Sequence, residues 1–205
     1  MNSGKLIVIS GFSGAGKGTV IKRLLSEYPN YVLSISATTR KPRAGEEHGR
    51  EYFFKTVDEF KSMIDNNELV EYAQYVGNYY GSPKEYVDKQ LSEGKNVILE
   101  IEIQGALNIK KQFKDAVLVF ITPPSAAELK NRLVNRGTED LDTIMARLRR
   151  AEEEAAGVEN YDYIIINDTI DKCVFDINSV IIAESNKSNN KLDIIEDIKE
   201  NLKDI

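Results

Sequence analysis

Short apolar runs alternate along the chain with stretches in which apolar residues recur at helical spacing, the arrangement that a parallel sheet covered by helices requires. The candidate core strands are Leu6 to Ser10, Tyr31 to Ser36, Val97 to Ile101, Ala116 to Ile121 and Tyr163 to Ile166. Helical patterns run from Lys17 to Glu27, Pro83 to Ser92, Ser125 to Asn135, Leu141 to Gly157 and Ile170 to Glu184. The pattern predicts an α/β fold with a doubly wound parallel sheet. Two segments interrupt it: a polar, aromatic-rich region over 37–81 and a charged, arginine-bearing one over 131–154. Both read as insertions at the ligand-binding end of the sheet. A polar linker from Ser185 to Asn190 follows, and then Leu192, Ile195, Ile198, Leu202 and Ile205 recur at helical spacing among charges, a period that a docked C-terminal helix, an oligomer contact or a frayed end would each produce.

The first strand runs into Gly11-Phe12-Ser13-Gly14-Ala15-Gly16-Lys17-Gly18-Thr19, at the point where the first helical pattern opens. Glycines let the backbone turn tightly and approach an anion, so that several N–H groups point at phosphate oxygens. Lys17 adds a mobile positive charge, and the helix beginning there adds the partial charge of its N-terminus. Together these features predict a nucleoside triphosphate site. The hydroxyl that usually follows the lysine directly comes one residue later here, at Thr19. That shift leaves magnesium to nucleotide oxygens and water, with Thr19 as a candidate ligand.

Composition narrows the picture further. With 205 residues, 41% of them hydrophobic, the chain suits one globular domain. Its net charge of −6 argues against a general nucleic-acid or anionic-membrane surface, so anion binding has to be local. Cys173 and His48 are the only residues of their kinds, which leaves no disulfide framework, no histidine–cysteine zinc site and no histidine triad. Cys173 falls in an apolar helical pattern and reads as a buried small hydrophobe, His48 as a solvated loop residue. The apolar strand begins almost at once and no long apolar run occurs, from which a cytoplasmic protein is expected. The oligomeric state is left open.

A second constellation begins at Ser34: Ser-Ile-Ser-Ala-Thr-Thr-Arg-Lys-Pro-Arg-Ala-Gly-Glu-Glu-His-Gly-Arg-Glu-Tyr-Phe-Phe, followed by Glu71-Tyr72-Ala73 and Gly77-Asn78-Tyr79-Tyr80-Gly81-Ser82. Arginine forks match phosphate oxygens in bidentate geometry, so Arg40 and Arg43, with tyrosine hydroxyls nearby, can orient a dianion. On residue chemistry alone, a solvated basic turn around Pro42 is the commoner fate of such an arginine pair. Val97 to Glu102 reads as an apolar strand ending in two acids, Glu100 and Glu102, which by period two project to one face.

With the phosphate loop, these motifs in this order strongly resemble the guanylate kinases, over about 4–184. The resemblance implies a P-loop nucleotide kinase with a GMP-binding subdomain over about 37–81 and a mobile lid over about 131–154. It also implies phosphoryl transfer from ATP to GMP with magnesium. By that resemblance Gly11, Phe12, Ser13, Gly14, Ala15, Gly16, Lys17, Gly18 and Thr19 hold ATP, with Arg136 and Asn167 near adenine. Arg40, Arg43, Tyr52 and Tyr80 fall to the GMP phosphate, and Ser36, Glu71, Ser82 and Glu102 to guanine. Glu100 belongs beside magnesium, through water. Lys17, Arg40, Arg132 and Arg147 are the cations of catalysis. Residues 185–205 lie outside the resemblance.

Two rival readings follow from the same residues. One is a kinase for another nucleoside monophosphate or a phosphorylated sugar, against which stand Glu71, Ser36 and Ser82. The other is a catalytically silent kinase-like module that binds protein ligands, which would carry further interaction domains and a degraded ATP loop.

Overall fold

A computed structural model describes residues 4–75, 77–135 and 140–204. The strand β1 (Leu6–Gly11) leads through the glycine-rich loop into α1 (Lys17–Glu27) and β2 (Tyr31–Leu33). The chain then leaves the first sheet to form β3 (Ala37–Thr38), β4 (Phe53–Phe54), α2 (Val57–Asp65), β5 (Leu69–Tyr75) and β6 (Asn78–Pro83). It returns through α3 (Lys84–Ser92), β7 (Asn96–Glu100), α4 (Ile103–Gln112) and β8 (Val117–Thr122). After these come α5 (Ala126–Asn135), α6 (Leu141–Ala155), β9 (Tyr163–Ile166), α7 (Ile170–Ser185) and α8 (Leu192–Asn201).

The larger sheet has the order β2-β7-β1-β8-β9, every neighbouring pair parallel. β1 lies at its centre, with Ile7 opposite Ile98 on one side and Val117 on the other. Covered on both faces, it reads as a continuous apolar run, because a buried parallel strand has no polar side to show. Ile7 and Ile9 pack toward Val20, Ile21 and Leu24 of α1 and Val174, Ile177 and Ile181 of α7, while Leu6 and Val8 face Val87 and Ile109 on the opposite layer. Cys173 is fully buried in the first of these layers, and burial pushes its thiol up to about 11, as expected of a small hydrophobe. His48 is exposed.

The predicted strands and helices occur, with shifted ends. β2 stops at Leu33 because the chain departs there for the second sheet; Ser34 N–H still donates to Ile98 O at 2.8 Å, which puts Ser36 at the turn between the sheets. The 37–81 insertion is itself a sheet of order β4-β3-β6-β5, closed by α2. α2 starts at a reciprocal capping box: Thr56 Oγ1 accepts from Glu59 N–H, and Glu59 Oε2 accepts from Thr56 N–H. It seats the fully buried Phe60 on the Tyr79 ring, with centroids 5.4 Å apart. Within 131–154, α5 and α6 pair through a small core of Leu129, Leu133, Ile144 and Ala151, against which Phe12 packs. The C-terminal pattern forms α8 over Leu192–Asn201, none of whose residues is buried; Ile205 lies outside the described residues. Among the described residues no helix is long and apolar enough to cross a membrane.

Candidate active site

The loop after β1 turns at Gly14 (φ 96°) and Gly16 (φ 88°), where a Cβ is disfavoured. A Cβ on Gly16 would also fall 2.7 Å from Asn167 Nδ2. No side chain caps α1, so its first-turn N–H groups are left for an anion. The Lys17 ammonium lies over the loop, donating to Gly11 O at 2.7 Å and Phe12 O at 3.3 Å. Burial lowers its pKa, opposed by the nearby charges of Glu100 and Glu154. The Phe12 ring meets Phe120 edge-on at 4.9 Å, and Ala15 is buried with its N–H donating to Phe12 O at 2.9 Å, so neither side chain is offered to an anion. Gly18 and Thr19 are exposed on the first turn of α1. Thr19 lies outside the lining of the cavity that Lys17 and Glu100 border.

Two cavities adjoin at the carboxyl end of β7. The larger, about 460 Å³, is lined by Ser10, Gly11, Ser13, Lys17, Arg147 and Glu154. The smaller, about 210 Å³, lies against the second sheet and is lined by Ser36, Glu71, Ala73 and Tyr80. Tyr52, Glu100, Ile101, Glu102 and Arg150 border both, so a molecule in one cavity can meet a molecule in the other. Glu100 ends β7 and is exposed to both cavities, where partial desolvation by their walls raises its pKa against the pull of Lys17. The expected strand face shared by Glu100 and Glu102 is not formed. Glu102 instead begins α4 as its cap, Oε1 accepting from Gly105 N–H and Oε2 from Gln104 N–H, both at 2.9 Å.

In the smaller cavity Glu71, on β5, is only 6% exposed, and its Oε1 accepts from Ser82 Oγ at 2.9 Å. Burial pushes its carboxyl up to about 7; the Ser82 hydrogen bond opposes this and the charge of Glu102 adds to it. Gly105 makes room for it, since a Cβ there would lie 3.2 Å from Glu71 Oε2. The rings of Tyr52 and Tyr80 meet edge-on at 6.2 Å. Behind them the Arg40 guanidinium sits 5.2 Å from the Tyr52 centroid and 5.9 Å from that of Phe54. It donates to Glu46 Oε1 through Nη2 and to Lys41 O through Nη1. The Arg43 side chain is exposed in the same loop.

The arginines of the 131–154 segment separate. Arg147 Nη1 donates to Ser13 Oγ at 3.2 Å, facing the phosphate loop from α6. Arg132 lies on the other flank of the loop: Nε bonds Glu128, Nη1 donates to Ala15 O at 3.4 Å and Nη2 to Asn167 O at 2.9 Å. It is thus a brace between α5, the loop and the end of β9, outside the lining of both cavities. Asn167 is buried there and donates from Nδ2 to Ala15 O at 2.8 Å. Arg136 lies outside the described residues. Sequence reasoning passed over Arg150 and Glu154, which border the larger cavity and form an ion pair at 3.1 Å. Their signal was the spacing of Arg147, Arg150 and Glu154, at i, i+3 and i+7, which puts all three on one helix face.

Comparison with known proteins gives a consistent answer. The family model described as guanylate kinase matches residues 3–184. A guanylate kinase of Caldanaerobacter subterraneus is 50% identical over 197 residues, covering 96% of each chain. One from Bacillus cereus is 52% identical over 182 residues, 88% of this chain and 89% of its own. The crystal structure of guanylate kinase from Anaplasma phagocytophilum superimposes with a TM-score of 0.74 at 33% identity, covering 92% of this chain and 89% of that one. A phosphate loop and a buried carboxylate on adjoining cavities, in a chain so matched, place it in one family: the chain belongs to the guanylate kinases.

Proposed function

We propose that the chain transfers the γ-phosphoryl group of ATP to GMP, giving ADP and GDP, and that the adjoining cavities hold the two nucleotides. The observation that carries the acceptor's identity is Glu71. Guanine presents two adjacent donors, N1–H and the 2-amino group, whereas adenine has an acceptor at N1 and no 2-amino group. A buried carboxylate, oriented by Ser82, can receive both guanine donors and is left badly paired against adenine. Ser36 and Glu102 complete the base site. Arg40, Arg43, Tyr52 and Tyr80 take the acceptor phosphate, which reaches toward Glu100 and the larger cavity. The glycine loop, Lys17 and the N-terminus of α1 take the ATP phosphates, with Asn167 and Arg136 on the adenine side.

The nucleophile is an oxygen of the GMP phosphate, already ionised near neutral pH, so no strong base is needed. Its bond to the γ-phosphorus forms as the bond from that phosphorus to the β–γ bridging oxygen breaks, and the electron pair leaves on ADP. Lys17 and Arg147 offset the charge on the transferred group, while Arg132 steadies the loop that presents ATP. The acids present fit a magnesium ion held chiefly by nucleotide oxygens and water: Glu100 opens to the cavity beside Lys17, and it would hold the ion through water. Bound there, magnesium would neutralise phosphate charge and keep the two phosphates in line. Closure of the 37–81 subdomain and the 131–154 lid over the cavities would exclude water as a competing acceptor.

Residues 4–184 form the kinase domain in this reading, and 185–205 a linker and helix outside the chemistry. The partners are ATP and GMP, with neither nucleic acid nor membrane, and the setting is the cytoplasm. A coupled ADP-release assay with GMP, AMP, CMP and UMP as acceptors tests the proposal. GMP should exceed the others in kcat/KM by orders of magnitude, and comparable rates with AMP would refute it.

A further inference from the structure

The loop between β3 and β4 carries an acid with no role in the chemistry above. The Glu46 N–H donates to Arg43 O at 3.1 Å, and its carboxylate Oε2 accepts the Arg43 N–H at 2.7 Å, closing a reciprocal turn. The other oxygen, Oε1, accepts from Arg40 Nη2 at 2.9 Å. A single carboxylate therefore holds one arginine by its guanidinium and the other by its backbone. This pair is sheltered, with side-chain exposures of 15% for Arg40 and 18% for Glu46, against 54% and 69% for the Arg50–Glu47 pair of the same loop. The Arg40 hydrogen bond and the Arg43 N–H hold the Glu46 carboxyl below the usual range, so it stays charged at neutral pH. A guanidinium has five N–H donors. Glu46 and Lys41 O take two of them, which leaves the rest of the Arg40 fork for an incoming phosphate.

We propose that Glu46 is a positioning residue for the acceptor phosphate, presetting the Arg40 fork behind Tyr52 and folding the turn that carries Arg43. The proposal rests on the reading of these arginines as phosphate ligands. Two effects of opposite sign compete. A long arginine side chain loses rotamer freedom on binding, and a fork already fixed has lost it beforehand, which favours binding. A carboxylate beside a dianion repels it, which disfavours binding. With the pair preformed on two sides and stacked on two rings, the first effect dominates.

The test uses Glu46→Ala and Glu46→Gln in the full chain, with affinities for GMP and guanosine by calorimetry and the KM for ATP. Glu46→Ala should weaken GMP by about tenfold, as loss of a charge-assisted contact typically does. Glu46→Gln should lie between it and wild type, since an amide oxygen can still accept from Arg40. Guanosine, which lacks the phosphate, and ATP should bind as before. In an Arg40→Ala background, removing Glu46 should add much less than it does alone, because it acts largely through that fork. Unchanged or tighter GMP binding in Glu46→Ala would overturn the proposal, as would equal weakening of GMP and guanosine. If Arg40→Ala itself leaves GMP binding untouched, the phosphate reading falls, and the proposal with it.

Discussion

Glu71 is the residue whose chemistry reaches furthest. Burial pushes its carboxyl up to about 7, so it titrates close to neutral pH, and in the proposed base site guanine's two donors would need the ionised form. GMP binding near pH 7 should therefore expel a fraction of a proton from Glu71. In calorimetry this appears as an enthalpy that varies with the buffer's ionisation enthalpy, more strongly in wild type than in Glu71→Gln; identical buffer dependence would show that Glu71 loses no proton on GMP binding. The same shift acts on stability with a fixed sign. Because the folded pKa is the higher one, the folded state holds the extra proton, so this contribution is fully present below about pH 4.5 and is lost as pH rises through about 7. Glu71→Gln should also cost on the order of 1–3 kcal/mol in guanine recognition, since its NH₂ must meet a guanine donor. The GMP-to-AMP ratio of kcat/KM falls while the ATP KM stays, and a constant ratio would shift recognition to Ser36, Ser82 and Glu102. Lys17→Ala should lower turnover by roughly 10²–10³ in a folded protein, and near-normal turnover would overturn its assignment. That Lys17 and Glu71 line the two cavities was legible because motif context marks them. Glu46 was not, because nothing local distinguishes it from Glu47 and Glu51; only the folded loop shows which acid meets Arg40.

Elements were legible where their period was long enough to see. The central strands and α1, α3, α5, α6 and α7 stand out as runs or helical repeats, whereas β3 and β4, two residues each, carry no period at all. α4 was missed for a chemical reason: Gly105 falls in its first turn and reads as a breaker, yet it is small because Glu71 occupies the adjacent space. β2 was overextended because Ser34 to Ser36 keep an extended pattern while the chain is already leaving the sheet. Glycines of the phosphate loop differ among themselves in a way that a stability measurement can read. Gly16 combines φ 88° with a Cβ position 2.7 Å from Asn167 Nδ2, so Gly16→Ala should destabilise the fold by about 1–2 kcal/mol or more and raise the ATP KM. At Gly18 a Cβ would meet nothing within 4 Å and the backbone is helical, so Gly18→Ala should leave thermal stability unchanged or raise it. Equal melting temperatures for the two variants would contradict this account of the loop.

Across the whole molecule, one consequence of the strand order is that β1 lies between β7 and β8, which carries the phosphate loop to the middle of the sheet's ligand end, beside Glu100. The tail lies apart from that arrangement. Leu192, Ile195 and Ile198 of α8 and Leu202 just after it are all about half exposed, so the helix seats none of its side chains fully in the core, and the family match stops at residue 184. The linker before it is different. Lys187 pairs with Glu184 at 2.7 Å and Asn190 Nδ2 donates to Glu184 O at 2.8 Å. Glu184 is buried and also accepts from Tyr163 Oη, so these contacts fasten the end of α7 to β9. Two truncations should therefore separate. Ending the chain after Lys191 removes α8 alone and should change neither the melting temperature nor GMP kinase activity. Ending it after Ser185 also strips Glu184 of Lys187 and Asn190. Lys187 is 63% exposed, so its pairing contributes little, and a small drop in melting temperature is expected, with kcat and both KM values within about twofold of wild type. A cut after Lys191 that abolished activity in a folded protein would show that α8 reaches the active site or a subunit contact that the active site needs.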